Sequence, residues 1–395
     1  MAEIHSLRRV LIVADESADW MVAGLRQLER LALSIDEFAL ENKETAPVQV
    51  CIFWRPDLDQ SQRWTPNHER ITRVAFTTEL EGESFDLVLG TRLFLYRKAI
   101  RPLLETPLLP PPETLSSDDQ ANAWKICQRL VESLPHFREG AWDYIANGEE
   151  IDEVEARFLR RSGKSQDGLV SRYLNRPISR VVTRLLLRFP TTPNGWTLSI
   201  VALPIMGSLI LLNGSYWSFV WGLILYQVYS ILDGCDGEIA RAKFLESERG
   251  RQLDGQCDIL GNILLVLGLG AGLSRQMAFT GRSGWFYLLE GFLAAALIGL
   301  NEFWLARSKS GPGQQSSGSL GDTLYPRHRE LVARSGLLVF GETFVSWLIQ
   351  LTKRDVAILF FVFLAAIGLP AFILHLLVLV TAFTLAFAFR ARHVL

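Results

Sequence analysis

The chain has 395 residues, with 40 Lys and Arg against 42 Asp and Glu, for a formal net charge of −2. That balance offers no global basic surface for a nucleic acid. Four scattered cysteines (Cys51, Cys127, Cys235, Cys257) and six unclustered histidines argue against a disulfide framework and against a soft-metal site.

The expected fold is a soluble α/β domain followed by an α-helical integral membrane domain of six transmembrane helices. In residues 1–150, "RRVLIVAD" (8–15) and "VQVCIFW" (48–54) read as buried strands and "SFDLVLGTRLFLYR" (84–97) as a longer strand region. Charged helical stretches lie between them, at 18–32 and 119–134, and "PLLPPPETLSSDD" (107–119) reads as a loop. Strand–helix alternation of this kind predicts a parallel sheet. "VLIVA" (10–14) is too short for the apolar core of a signal peptide, so this half is expected in the cytosol.

Residues 151–190 are expected to link the two domains. A helix is predicted over 149–163. "RPISRVVTRLLLRF" (176–189) places Arg176, Arg180, Arg184 and Arg188 near one helical face beside Val, Leu and Ile. That pattern predicts an amphipathic helix lying on a membrane surface.

From 191 to 395 there are six spanning candidates, at 194–213, 216–235, 254–273, 284–306, 355–370 and 371–390. The last two are divided only by "GLP" (Gly368 to Pro370). "SKSGPGQQSSGSLGD" (308–322) reads as a flexible linker and "VFGETFVSWLIQLTKR" (339–354) as a second interfacial helix. Basic residues crowd the segment before span one, the connections between spans two and three and between four and five, and the C-terminus. The positive-inside rule then places both termini and the connection after span two on the cytoplasmic side. "GLGAGL" (268–273) mimics a phosphate loop, but inside an apolar run its small residues predict close helix packing. Pro204 is expected to kink span one.

The connection after span two, "DGCDGEIARAKFLESERGRQLDGQCD" (233–258), holds seven carboxylates. On a continued helix Asp233 and Asp236 are i,i+3 neighbours, with Gly237 and Ala240 on the same face. Asp254 and Asp258 are i,i+4 neighbours at the start of span three, with Gly250 one turn before. Two antiparallel helices from so short a connection bring these faces together near the cytoplasmic membrane surface. Four carboxylates that close need a cation, and an all-oxygen set fits a hard divalent ion, Mg²⁺ or Mn²⁺. The set is large enough for two ions bridged by a shared carboxylate, the usual clamp for phosphoryl chemistry, and points to a diphosphate substrate. Arg241 is placed to neutralise phosphate oxygens. An ionisable group inside a span, as Asp258 is, is expensive and usually functional. Glu238, Glu246 and Glu248 are expected to be solvated.

The spacing D-x2-D-G-x2-A-R-x8-G-x3-D-x3-D is met by Asp233, Asp236, Gly237, Ala240, Arg241, Gly250, Asp254 and Asp258. It resembles the signature of the CDP-alcohol phosphotransferases, and eight fixed residues over 26 positions make a specific match. "TPNGWTLS" (192–199) is similar to the family's opening of span one. "DGLVSRYLNRPIS" (167–179) is similar to the segment before span one in the branch that makes di-inositol phosphates from CDP-inositol.

The resemblance implies that Asp233, Asp236 and Asp254 bind the metals, Asp254 bridging them. It implies that Asp258 is the general base and touches the second ion. Pro193, Asn194, Thr197, Gly237, Ala240, Arg241, Ser247 and Gly250 would hold the CDP part of the donor. An acceptor hydroxyl would attack the phosphorus bearing the alcohol, and CMP would leave. Arg307, Lys309 and Arg327 share the cytoplasmic side; they are candidates for an acidic acceptor such as a polyol phosphate, or serve only the positive-inside bias. A homodimer is common in the family. A cytidylyltransferase domain often precedes the membrane part in the di-inositol branch, but "VLIVADESADW" (10–20) stands where its glycine-rich, arginine-containing loop is expected. A backbone cradle for a triphosphate needs glycines, so residues 1–150 are expected to be catalytically degenerate. The competing readings are a CDP-diacylglycerol-dependent phosphatidyltransferase, an ion-coupled carrier, and an inactive anchor. A carrier would want midplane carboxylates and repeated halves, which the sequence lacks. An intact signature argues against the anchor.

Overall fold

The hexamer Arg9–Ala14, apolar after its arginine, is buried along its whole length and forms β1, an inner strand of a sheet. The computed structural model describes residues 7–43, 46–77, 80, 84–106, 120–161, 168–308 and 353–392. These fall into two compact units.

The first unit comprises Met1–Ser162 with Leu187–Pro190 and Arg241–Phe244. After β1 come a small hairpin of β2 (Met21–Val22) and β3 (Leu25–Arg26), α1 (Gln27–Glu41), β4 (Val48–Trp54), β5 (Val74–Thr77) and β6 (Leu87–Gly90). The sheet order is β5-β4-β1-β6, every neighbouring pair parallel. Parallel strands need crossovers, and their apolar faces are covered by α1 and by α3 (Gln120–Glu132), with α2 (Ile100–Leu104) between. A second, antiparallel sheet has the order β7-β9-β8, from Leu93–Leu95, Trp142–Tyr144 and Phe137–Arg138. The helix expected over 149–163 is α4 (Ile151–Arg161), and it falls within the first unit. The loop read at 107–119 lies outside the described residues.

The longer strand expected at 84–97 is two strands in two sheets. The break falls at Thr91 and Arg92, which turn to Asp15 at the end of β1. Asp15 accepts from Ser17 N at 2.9 Å and from Arg92 Nε at 2.8 Å, and Ser17 Oγ donates to Thr91 Oγ1 at 2.7 Å. Burial alone would raise the Asp15 carboxyl, but the bonds from Ser17 and Arg92 outweigh it and hold the group below the usual carboxylate range.

The second unit comprises Gly163–Leu186, Thr191–Ala240 and Leu245–Leu395. A single π turn, Ser171–Asn175, leads into α5 (Arg176–Leu186). Span one is two helices, α6 (Pro193–Ile200) and α7 (Ala202–Leu211). They part at Val201, three residues before Pro204, where proline removes a helical donor. Then come α8 (Tyr216–Leu232), α9 (Gly234–Ala242), α10 (Glu248–Phe279), α11 (Trp285–Ser308), α12 (Arg354–Ala366) and α13 (Pro370–Arg392). Gly368, at φ +82, ends α12 in a left-handed turn before α13. Among the described residues, three stretches are long and apolar enough to cross a membrane: Pro193–Leu211, Glu248–Phe279 and Trp285–Phe303. The other three candidate spans are helices of 17, 13 and 23 residues. The linker expected at 308–322 and the interfacial helix expected at 339–354 fall outside the described residues, apart from Ser308, which ends α11, and Lys353 and Arg354.

Small residues bring α10 against its neighbours. A Cβ on Gly272 would collide with Leu211 O on α7, and one on Gly270 would meet Gly291 Cα on α11 at 3.1 Å. This is the close packing expected of "GLGAGL". Gly272→Ala should therefore destabilise the helical unit by about 1–3 kcal/mol through overpacking. A lowered melting temperature in detergent checks this; an unchanged one contradicts the packing.

Candidate functional site

Two helices carry the acidic residues. Asp233 follows α8 with helical backbone angles, so the i,i+3 relation to Asp236 on α9 survives although the helix is interrupted there. Ser247 caps α10, its hydroxyl accepting from Gly250 N at 3.1 Å. The helix thus begins two turns before the predicted span, which sets Asp254 and Asp258 inside it rather than at its start.

Asp233, Asp236 and Asp254 each offer a carboxylate oxygen within 4.8 Å of the others. Asp236 is buried. Its Oδ2 accepts from Thr197 Oγ1 at 2.6 Å and its Oδ1 from Gly237 N at 2.5 Å. Burial, and then the charge of Asp233, push the Asp236 carboxyl up to about 7, against those two bonds. Asp258 stands one turn beyond Asp254. It accepts from the Tyr229 hydroxyl at 3.0 Å and pairs with Arg354, whose other nitrogen lies 3.2 Å from Asp233 Oδ2.

These residues fit a hard cation. The converging donors are all carboxylate oxygens, and Asp233 Oδ1 is buried with no hydrogen-bond partner. An anionic oxygen left so in a cluster of acids is costly unless a cation meets it.

The residues expected to hold CDP gather in part. Thr197 is bonded to Asp236. Pro193 begins α6, whose cap is Thr192. A Cβ on Gly250 would stand 3.0 Å from both Asn194 Oδ1 and Ser247 Oγ, so this glycine keeps the start of α10 open between two polar side chains. Gly237 and Ala240 lie on α9. Arg241, in its last turn, belongs to the first unit. Arg307 is in the final turn of α11, where side chains are not described, and Lys309 and Arg327 lie outside the described residues.

One expectation is overturned. Glu246 and Glu248 are exposed, but Glu238 is fully buried. Its Oε1 pairs with Arg176 Nη1 at 3.0 Å and accepts from Ser179 Oγ at 3.1 Å; its Oε2 accepts from Thr183 Oγ1 at 2.7 Å. Arg176 is therefore buried too, rather than lying on a solvated arginine face of α5.

Two residues escaped the sequence. Tyr229 is one aromatic among several in an apolar helix, and its only signal is its i,i+4 distance from Asp233. Arg354 reads as an ordinary basic residue at a cytoplasmic span end, and nothing local marks it.

The profile of the CDP-alcohol phosphatidyltransferase family matches residues 190–387. Among curated proteins, one named bifunctional IPC transferase and DIPP synthase, from Rubrobacter xylanophilus, is 34% identical over 166 residues, or 42% of this chain and 37% of that protein. One of the same name from Thermococcus kodakarensis is 39% identical over 146 residues, 36% of this chain and 33% of its own length. A phosphatidylinositol phosphate synthase from Mycolicibacterium smegmatis is 33% identical over 93 residues, 23% of this chain and 40% of that protein. The matched part of the chain thus spans 33% to 40% of the length of these relatives.

Proposed function

The chain belongs to the CDP-alcohol phosphatidyltransferase family, and from that premise we propose that its helical unit transfers a phospho-alcohol group from a CDP-alcohol to an acceptor hydroxyl and releases CMP. The observation that carries the reading is the convergence of Asp233, Asp236 and Asp254 from two helices, with Asp258 one turn away, on the family's own spacing.

Asp233, Asp236 and Asp254 would hold Mg²⁺ or Mn²⁺, two ions in this reading. Bound there, the ions would neutralise charge on the diphosphate and on the departing CMP. Pro193, Asn194, Thr197, Gly237, Ala240, Arg241, Ser247 and Gly250 would orient the CDP moiety. Asp258 takes the proton of the acceptor hydroxyl as its oxygen bonds to the phosphorus carrying the alcohol. The bond from that phosphorus to the bridging oxygen breaks, and the electron pair leaves with CMP. Tyr229 and Arg354 hold the Asp258 carboxylate in place. The reading includes six spans, cytoplasmic termini and site, and a homodimer in the bilayer, organised as a 1–150 domain, a 151–190 link and a 191–395 membrane domain.

The names of the Rubrobacter and Thermococcus relatives favour a polyol donor such as CDP-inositol with a polyol-phosphate acceptor. That of the Mycolicibacterium relative favours a CDP-linked lipid. Purified protein given CDP-inositol or CDP-diacylglycerol, each with inositol phosphate, should release CMP from the former. Release from CDP-diacylglycerol alone would move the protein to the lipid branch, and release from neither would sink both. The first unit is proposed to be catalytically degenerate, because at the end of β1 beside β6, where a nucleotide's phosphates would need donors, Ser17 N and Arg92 Nε are already bonded to the Asp15 carboxylate and Ser17 Oγ to Thr91. Pyrophosphate formed from CTP and inositol phosphate by the pure protein would refute that.

A further inference from the structure

The buried carboxylate of Glu238 has no part in the chemistry described so far. It lies on α9 two residues after Asp236, about 200° around the helix. Asp236 faces the acidic cluster, so Glu238 occupies the back of the helix that carries it. There it meets Arg176, Ser179 and Thr183, which sit at i, i+3 and i+7 on one face of α5. Arg176 Nη1 also lies 3.5 Å from Gly234 O, and Cys235 Sγ lies 3.5 Å from Ser179 O, so the start of α9 is held as well. Asn175, the residue before Arg176, bonds to Gln227 at 3.0 Å and to Ser230 at 3.3 Å on α8.

The inner face of α5 is thus polar. Its apolar residues Ile178, Val181 and Leu185 are turned outward and exposed, Val181 to 72%. An apolar contact would hold two helices together equally well, since a buried ion pair is not needed for stability. What the seam adds is direction. Packed apolar side chains tolerate small rotations and slides. Three donors converging on one carboxylate fix both the rotation and the height of α9. That control matters here because α9 has only nine residues and is set off from α8 at Asp233.

We propose that Glu238 is a positioning residue: clamped by Arg176, Ser179 and Thr183, it fixes α9 so that Asp236 stays in register with Asp233 and Asp254. The inference rests on the reading of that trio as a metal site. The test is a titration of Mn²⁺ into the purified full-length protein in detergent, followed by the electron paramagnetic resonance signal of free Mn²⁺, with the melting temperature recorded alongside. Glu238→Gln should weaken Mn²⁺ binding about tenfold or more, as loss of an outer orienting contact does at metal sites. The double variant Arg176→Met with Glu238→Gln, which leaves no unpaired buried charge, should melt near the wild type and still show the loss. Arg176→Lys should bind Mn²⁺ more tightly than Arg176→Met. Wild-type affinity in Glu238→Gln or in the double variant overturns the proposal. If neither folds, Thr183→Val decides it, since that change removes one bond to Glu238 and should weaken Mn²⁺ binding measurably; no change again overturns it. A wild-type protein that binds no Mn²⁺ would overturn the metal reading along with this one. Wild-type binding matched by the variants overturns this one alone.

Discussion

Asp258→Asn should lower the rate of CMP release by about 10²- to 10⁴-fold at saturating donor and acceptor, the usual worth of a positioned general base. The substitution is nearly isosteric. Its amide oxygen still accepts from the Tyr229 hydroxyl, which stands 3.0 Å from Asp258 Oδ1. What disappears is the proton acceptor, together with the charge facing Arg354. The loss should fall on kcat, because the residues assigned to the CDP moiety are untouched and the KM for the donor should change little. A rate equal to the wild type, with a productive acceptor present, would remove Asp258 from the mechanism.

Asp254→Asn should do more damage, and of a different kind. Asp233 and Asp236 come from one short stretch of chain, whereas Asp254 is the carboxylate that α10 brings across to close the cluster. Without it, two acids remain on one side of the site. Mn²⁺ affinity and CMP release should fall together, the rate by about 10³-fold or more if the cation supplies several kcal/mol of charge stabilisation. Extra metal should recover part of the loss in Asp254→Asn and none of it in Asp258→Asn. If Asp254→Asn binds Mn²⁺ as the wild type does, the cluster is not the metal site.

The acidic front of the site was legible because helical periodicity converts spacing directly into a shared face. Asp233, Asp236, Asp254 and Asp258 needed only that rule and a short connection. The back of the same helix was not legible. Glu238 looks like any charged residue in a polar connection, and its partners Arg176, Ser179 and Thr183 lie 62, 59 and 55 residues away. Only tertiary packing decides that α5 turns its polar side inward. Arg354 is harder still, at 121 residues from Asp233 and at a position where a basic residue is expected regardless. In the first unit, the apolar runs of β1 and β4 announced a parallel sheet. The division between β6 and β7 depends on where Thr91 and Arg92 find a partner, and Asp15 lies 76 and 77 residues earlier. Helix ends followed the same pattern. The apolar run marks the part of α10 apolar enough to cross a membrane, but the start of the helix is set by the Ser247 cap.

The most direct measurement is CMP release by the purified wild-type protein from CDP-inositol with inositol phosphate, before and after the divalent ions are chelated and then restored. Release that stops on chelation, returns fully with Mg²⁺ or Mn²⁺ in the wild type, and returns only in part in Asp254→Asn even with excess metal is the expected result. Release that continues at the same rate with the ions removed would contradict the assignment of the four aspartates.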